Sequence, residues 1–395
     1  MFIHTGGKLH LTLTERTVTL EVTLMQVAVF VLGLLSIIPI LLASTDQLYI
    51  RPSQEAPCPS EPCYLLSQIL QNVTEYLTSN TFVMLAPGKY FVSEDIEAEI
   101  RNVHVTLMGS NTGTTVIKCS KQLLLSATST DLVISNLNFF NCTHLIALSA
   151  SVSFGLMVYA GDSNVTLINT SFNSSIGCSI FAQGSNLKFL GRTAFKSNQC
   201  FIGCGIFAEN SNIVFHGAVV FQDNTCDLGC GIYAHNNTSI TFYESAVFKG
   251  NEAVLDGGGI YVSYNCDLIF LDTVIFQNNT CRFGCGIFTF GNCNSSFNSS
   301  AIFESNKAVY YGVGAMITYK RALKFNSSAT FQSNQAAYGG AMYLHIDDNA
   351  VLFLNSAEIN ITTNNASQLG GGIYILNSPS IKSTSQQSPI HVLSG

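Results

Sequence analysis

The chain has 395 residues, of which 47% are hydrophobic and only 10% charged, with 31 Gly, 27 Phe, 13 Cys and no Trp. So low a charge content excludes a disordered tail protein and a coiled coil. With 17 Lys+Arg against 24 Asp+Glu, no basic surface is available for nucleic acid, and binding through a phosphate backbone is excluded as the main function.

In chain order, residues 1–24 are a polar segment and residues 25–43 an uncharged apolar run long enough to span a bilayer. Two readings compete for the run. Pro39 and the small residues Ala43 and Ser44 suit a cleaved signal peptide. Its length, and the polar sequence ahead of it, suit a retained transmembrane signal-anchor. Residues 44–63, with four prolines and the pair Cys58 and Cys63, read as a stalk. Over residues 64–80, Leu66, Ile69, Leu70, Val73 and Leu77 form a helical stripe that would cap the domain behind it. A domain of short strands follows over 81–379. Residues 380–395 read as a tail after the last complete unit, the pattern expected of a fragment.

Thirteen Asn-X-Ser/Thr sequons follow the apolar run and none precedes it: Asn72, Asn141, Asn164, Asn169, Asn173, Asn236, Asn237, Asn278, Asn294, Asn298, Asn326, Asn360 and Asn365. Their number is about twice what the Asn, Ser and Thr content gives by chance. The bias places everything after residue 44 on the extracellular side as a glycoprotein.

The main signal within the domain is a repeat of Phe-x-x-Asn, a Gly-rich turn and Ile-Phe/Tyr. Units begin at Phe195, Phe221, Phe248, Phe276, Phe303, Phe331 and Ile361, spaced 26 to 30 residues apart, with a degenerate unit at Phe172. Each contains three short apolar runs with strand alternation, separated by Gly, Asn and Asp, which tolerate tight corners. Three strands per coil, each pairing with its equivalent one coil away at roughly 4.8 Å, make a parallel β-helix. The Phe column should fill the interior. The Asn column (Asn198, Asn224, Asn251, Asn279, Asn306, Asn334, Asn364) should sit at a corner, its amides bonding to the local backbone and to each other.

Upstream, 81–90, 103–109, 115–117 and 132–137 read as short strands between turns, and residues 81–137 resemble the first coils of the pectin-lyase-like right-handed β-helix superfamily. Residues 172–376 resemble the repeats of the chlamydial polymorphic membrane proteins, with Phe331–Asn334 and Gly339–Met342 closest. The resemblance implies an all-β, right-handed parallel β-helix. Cysteines replace repeat residues in several units, and no run of alternating β segments follows that could form an outer-membrane barrel.

Superfamily members that cleave polysaccharides gather Asp with Lys, Arg or His on neighbouring coils. Here such residues are sparse. Asp347–Asp348 and His216–Gly217 stand in the reverse order of the polygalacturonase motifs, and the remaining His lack zinc-ligand spacing. The Gly-rich stretches recur in every coil and lead into strands, as corners do and phosphate loops do not. The expectation is therefore no catalytic residue, no cofactor and no metal.

Cysteines carry more. Cys200/Cys204, Cys226/Cys230 and Cys281/Cys285 occupy the same two repeat positions, and where the first is Ala (Ala253, Ala308, Ala336, Ala366) the second is never Cys. Bonded partners produce that pattern. Cys266 and Cys293, 27 residues apart, should stack on adjacent coils within bridging range. Cys58/Cys63 and Cys119/Cys142 pair by proximity and coil spacing, and Cys178 is left over. Alternation also places Phe207, Tyr233, Tyr261, Phe288, Tyr343 and Tyr374 on the outer side of their strands, an aromatic stripe that either steadies the ladder or offers a platform to a partner.

These readings point to a non-catalytic extracellular β-helix, held in the membrane through residues 25–43 or secreted, acting as a structural or adhesive scaffold for an extracellular protein or glycan. The alternatives are a glycan-binding module and a polysaccharide-degrading enzyme.

Overall fold

The computed structural model describes residues 46–376 apart from 54–55, 57–59, 61–62, 79, 143–144, 150–151, 319–321, 346–350 and 355–357, together with short strands within residues 4–18 and at 390–393. Residues 1–46 form a unit of their own. In it two antiparallel pairs are described, His4–Thr5 with Lys8–Leu9 and Leu11–Leu13 with Arg16–Val18. The apolar run 25–43 lies outside the described residues. Among those described, no helix is long and apolar enough to cross a membrane.

The described residues from 47 onward coil into a parallel β-helix. Equivalent strands of successive coils pair in register, so that Phe195 lies beside Phe221, Phe221 beside Phe248 and Phe248 beside Phe276. Sheets of 13, 12 and 12 strands result. The first carries strands such as Asn212–Phe215, the second the Phe-x-x-Asn strands such as Val219–Gln222, and the third the Ile-aromatic strands such as Ile232–His235. Three strands per coil is too few for the C-terminal half. A fourth, six-stranded sheet lies between the second and third, built from Thr225–Leu228, Glu252–Asp256, Thr280–Phe283, Lys307–Tyr311, Gln335–Tyr338 and Asn365–Leu369. The sequence conceals it because bulges break its register and its alternation with it.

Two columns of stacked rings fill the interior. Phe172, Phe195, Phe221, Phe248, Phe276, Phe303 and Phe331 stack at 4.6–5.1 Å. Phe189, Phe215, Phe242, Phe270, Phe297 and Phe325, on the first sheet, form a second column at 4.4–5.1 Å that the repeat did not announce. The columns meet edge to face, as Phe242 meets Phe248 at 6.1 Å. Burying one such ring contributes roughly 2–3 kcal/mol, and the ring contacts about 1 kcal/mol more.

The Asn column is a buried hydrogen-bond ladder. Asn251 Nδ2 donates to Asn279 Oδ1 in the next coil and to Phe221 O in the previous one. Its partner in the backbone is thus a neighbouring coil, not the local turn. Asn279 Oδ1 also accepts from Asn251 N. A second ladder runs at the corner between the third and first sheets, where Ser163 N donates to Ser185 Oγ, Ser185 N to Ser211 Oγ and Ser211 N to Thr238 Oγ1. Both satisfy turn amides that stacking would otherwise bury without partners.

The expected cap over 64–80 is two short helices, Leu66–Gln71 and Val73–Tyr76, broken at Asn72, which leaves helical φ/ψ at −123° and 50°. Leu66, Ile69, Leu70, Val73 and Leu77 are buried as the stripe required. The stretch read as a stalk is in part solenoid: Asp46–Arg51 and Cys63–Leu65 pair in parallel at one end of the first sheet, with Leu48 and Ile50 in the core. Within the expected tail, Ile390–Leu393 adds a strand to the second sheet.

Candidate functional site

The face with the most unusual chemistry is where the fourth sheet turns into the third. Each chain passage there uses a glycine at positive φ, such as Gly229 at 59° and Gly257 at 63°, a conformation that costs other residues dearly. A β-carbon on Gly231, two residues on, would lie 2.5 Å from Gly259 O in the next coil. Close coil stacking and tight turning together enforce the Gly-x-Gly pattern.

Behind the turn the three short-range disulfides Cys200–Cys204, Cys226–Cys230 and Cys281–Cys285 all form, each with Cα atoms 5.2 Å apart. With Ala253, Ala308, Ala336 and Val313 they make a small apolar core of their own. Cys119–Cys142 joins adjacent coils at a Cα separation of 4.8 Å. Cys58 lies outside the described residues, and that pair with it.

Cys266 and Cys293 stack as expected but are not bonded; both are buried thiols. They continue the Ser/Thr ladder. Cys266 N donates to Cys293 Sγ at 3.4 Å, and each thiol donates to the carbonyl three residues before it, Cys266 to Ser263 and Cys293 to Phe290. Thr238 Oγ1 makes the same bond to His235 O. A bridge would turn both sulfurs away from these acceptors. Contact with Cys293 holds the Cys266 thiol below its ordinary value, and the same contact with burial raises that of Cys293. Cys178 is buried, donates to Ile180 O, and is pushed up to about 12 by burial.

The aromatic stripe lies on the outer side of the third sheet, since Ile206, Ile232 and Ile260 on the inner side are fully buried. Tyr233 stacks on Tyr261 and Tyr261 on Phe288, both at 4.9 Å, and Tyr343 on Tyr374 at 5.5 Å. Phe207 meets Tyr233 edge-on at 5.1 Å. The stripe is not an open platform. Phe283, Tyr311 and Tyr338, at the ends of fourth-sheet strands, pack against it, leaving Phe288 and Tyr343 only 7% and 5% exposed. The sequence signal for these covers is the mostly apolar column just before each Gly turn, Leu228, Phe283, Tyr311, Tyr338 and Leu369 with Asp256 as the exception.

Asp256 occupies the cover position of its coil. Burial raises its carboxyl to about 6, Arg282 opposes the shift, and Oδ1 is buried without a hydrogen bond. Burial also raises the Tyr261 hydroxyl, with Tyr233 and Asp256 adding to the effect.

Elsewhere, His216 stacks on Tyr243 at 4.7 Å, and burial lowers its imidazole. Asp347 and Asp348 lie outside the described residues. A cleft of about 230 Å³ is lined by Tyr49, Met84, Pro87 and Met108 among others, with no carboxylate or imidazole. Among the described residues no three His, Cys, Asp or Glu gather as a metal site. All thirteen sequon asparagines are exposed or half-exposed, in contrast to the buried ladder Asn198 to Asn334.

No family model and no curated protein matches the chain. Solved structures similar to it include one described as Geobacillus virus E2 ORF18 (9% identity, TM-score 0.35, covering 95% of this chain and 67% of that one). A rhamnogalacturonan lyase is 11% identical, with a TM-score of 0.33 and coverage of 88% and 89%. A pectin methylesterase from Aspergillus niger is 10% identical, with a TM-score of 0.24 and coverage of 73% and 86%. The parallel β-helix assignment rests on the strand pairings themselves.

Proposed function

We propose that this chain is a non-catalytic extracellular β-helix, anchored through residues 25–43 or secreted, that serves as a structural or adhesive scaffold for an extracellular protein or glycan. The observation that carries the reading is the placement of the sequons: all thirteen asparagines are at surface positions, and none belongs to the buried ladder from Asn198 to Asn334. Four disulfides in the solenoid fit the same oxidising compartment. The repeat columns are occupied by structural ladders of Phe, Asn, Ser/Thr and Ile, which is the use a scaffold makes of them.

The test is expression of the full chain in a secretory cell. The expected result is a mobility shift on enzymatic removal of N-glycans and labelling of the intact cell surface or recovery from the medium. An unglycosylated protein confined to the cytosol would overturn the reading. Binding of immobilised polysaccharide with release of new reducing or unsaturated ends would instead establish the enzyme.

A further inference from the structure

We infer that the outer face of the fourth sheet is a contact surface for a second copy of this chain, docked antiparallel. Among the described residues, four of the twelve large apolar side chains left exposed lie on this one sheet: Val254 and Val309, each 59% exposed, Leu369 at 56% and Tyr310 at 42%. Arg282 lies over the rings of Phe283 and Tyr310 at 5.6 and 5.5 Å, holding its charge on the same face. Exposed apolar residues gathered in this way mark a contact surface, whereas scattered ones do not.

No sequon falls within its first four strands. The sequons fall on the other corners and sheets, with Asn278 at its rim and Asn365 at the start of its last strand. This point alone rests on the glycoprotein reading above; the apolar and charge arguments do not.

Charge selects the occupant. Of its first four strands, the first two carry Asp227 and Glu252 and the next two Arg282 and Lys307. None of the four makes an ion pair within the chain among the described residues. A parallel copy would set acid on acid and base on base. An antiparallel copy about a twofold axis crossing the face between the Val254 and Arg282 coils lays the acidic half of each over the basic half of the other, as an isologous contact requires. The four overlapping coils at roughly 4.8 Å and four residues at roughly 3.3 Å give a contact of about 19 by 13 Å. That is well under the roughly 800 Å² per partner of a stable complex. The association is weak in solution and depends on local crowding of the chains.

Cross-linking captures such a contact. The probe is a short bis-maleimide applied to the full chain carrying Val254→Cys, with Thr241→Cys on the first sheet as control, since the native thiols are buried. Covalent dimer should form from the former and not the latter. In the Val254→Cys background, Asp227→Lys/Glu252→Lys and Arg282→Glu/Lys307→Glu should each cut dimer yield about tenfold alone, and a mixture of the two should restore it. Equal yields from both cysteine positions, charge variants that cross-link undiminished, or a mixture that fails to recover would each overturn the inference. Glycan removal is read separately, by mobility, so failure of the glycoprotein reading would not be mistaken for failure of the contact.

Discussion

Asn279 Oδ1 accepts two hydrogen bonds from Asn251, one from its backbone N–H at 3.0 Å and one from its side-chain amide at 3.0 Å, while its own Nδ2 reaches back to Phe248 O at 2.9 Å. With its further bond to Asn306 Oδ1 at 2.9 Å, one side chain thereby settles polar groups of two other coils, and the pattern repeats from Asn224 to Asn364.

Replacing Asn279 by Leu should therefore be among the most damaging substitutions in the chain. It strips Asn251 of its acceptor and Phe248 O of its donor, all in buried surroundings. At about 1–3 kcal/mol for each stranded group, the loss is about 3 kcal/mol or more. Urea unfolding followed by circular dichroism would measure it; a loss under about 1 kcal/mol would show that the ladder is dispensable.

The thiol pair predicts a different ranking. Because Cys266 and Cys293 do the work of ladder hydroxyls, Cys266→Ser should remain within about 1 kcal/mol of the parent, whereas Cys266→Ala leaves the Thr238 amide without its acceptor and should cost about 1–3 kcal/mol. Thermal melts of the two variants decide the matter. A reagent specific for thiols should titrate both residues only in the denatured chain.

Asp256 makes stability depend on pH. Its carboxyl is raised to about 6 in the fold from a reference of 3.8, so the folded chain binds the proton more tightly than the unfolded one. The resulting penalty is fully present above pH 6 and fades as pH falls toward 3.8. The group is partly exposed, so screening limits the effect to about 1 kcal/mol. Asp256→Asn should raise stability at pH 7.5 by about that amount and change little at pH 4. A difference between variant and parent that stayed flat across this range would contradict the buried carboxyl.

Reduction should separate the turns from the stack. The bridges at Cys200–Cys204, Cys226–Cys230 and Cys281–Cys285 each close a loop of only a few residues, worth about 2 kcal/mol by chain entropy. Reduced protein should keep its β-sheet circular dichroism, and unfold at lower denaturant. Phe276→Ala, which removes a ring from the interior column, should cost about 3–5 kcal/mol in either redox state.

The repeat by itself determined the coil length, the parallel stacking, the buried Phe and Asn columns and three of the bonded cysteine pairs. These are legible because in-register stacking turns every local preference into a column, and a column is visible as spacing. Tertiary structure alone decided the rest. Phe189 and Phe215 form a second ring column that no shared motif marks. The fourth sheet is hidden by bulges that break its alternation. Cys266 and Cys293 have the spacing of a bridge, but their rotamers answer to carbonyls three residues behind, which spacing does not encode. The aromatic stripe has the outward alternation expected of a surface, yet Phe283, Tyr311 and Tyr338 fold over it. Alternation tells which side of a strand a residue takes; what covers that side depends on a segment elsewhere in the coil.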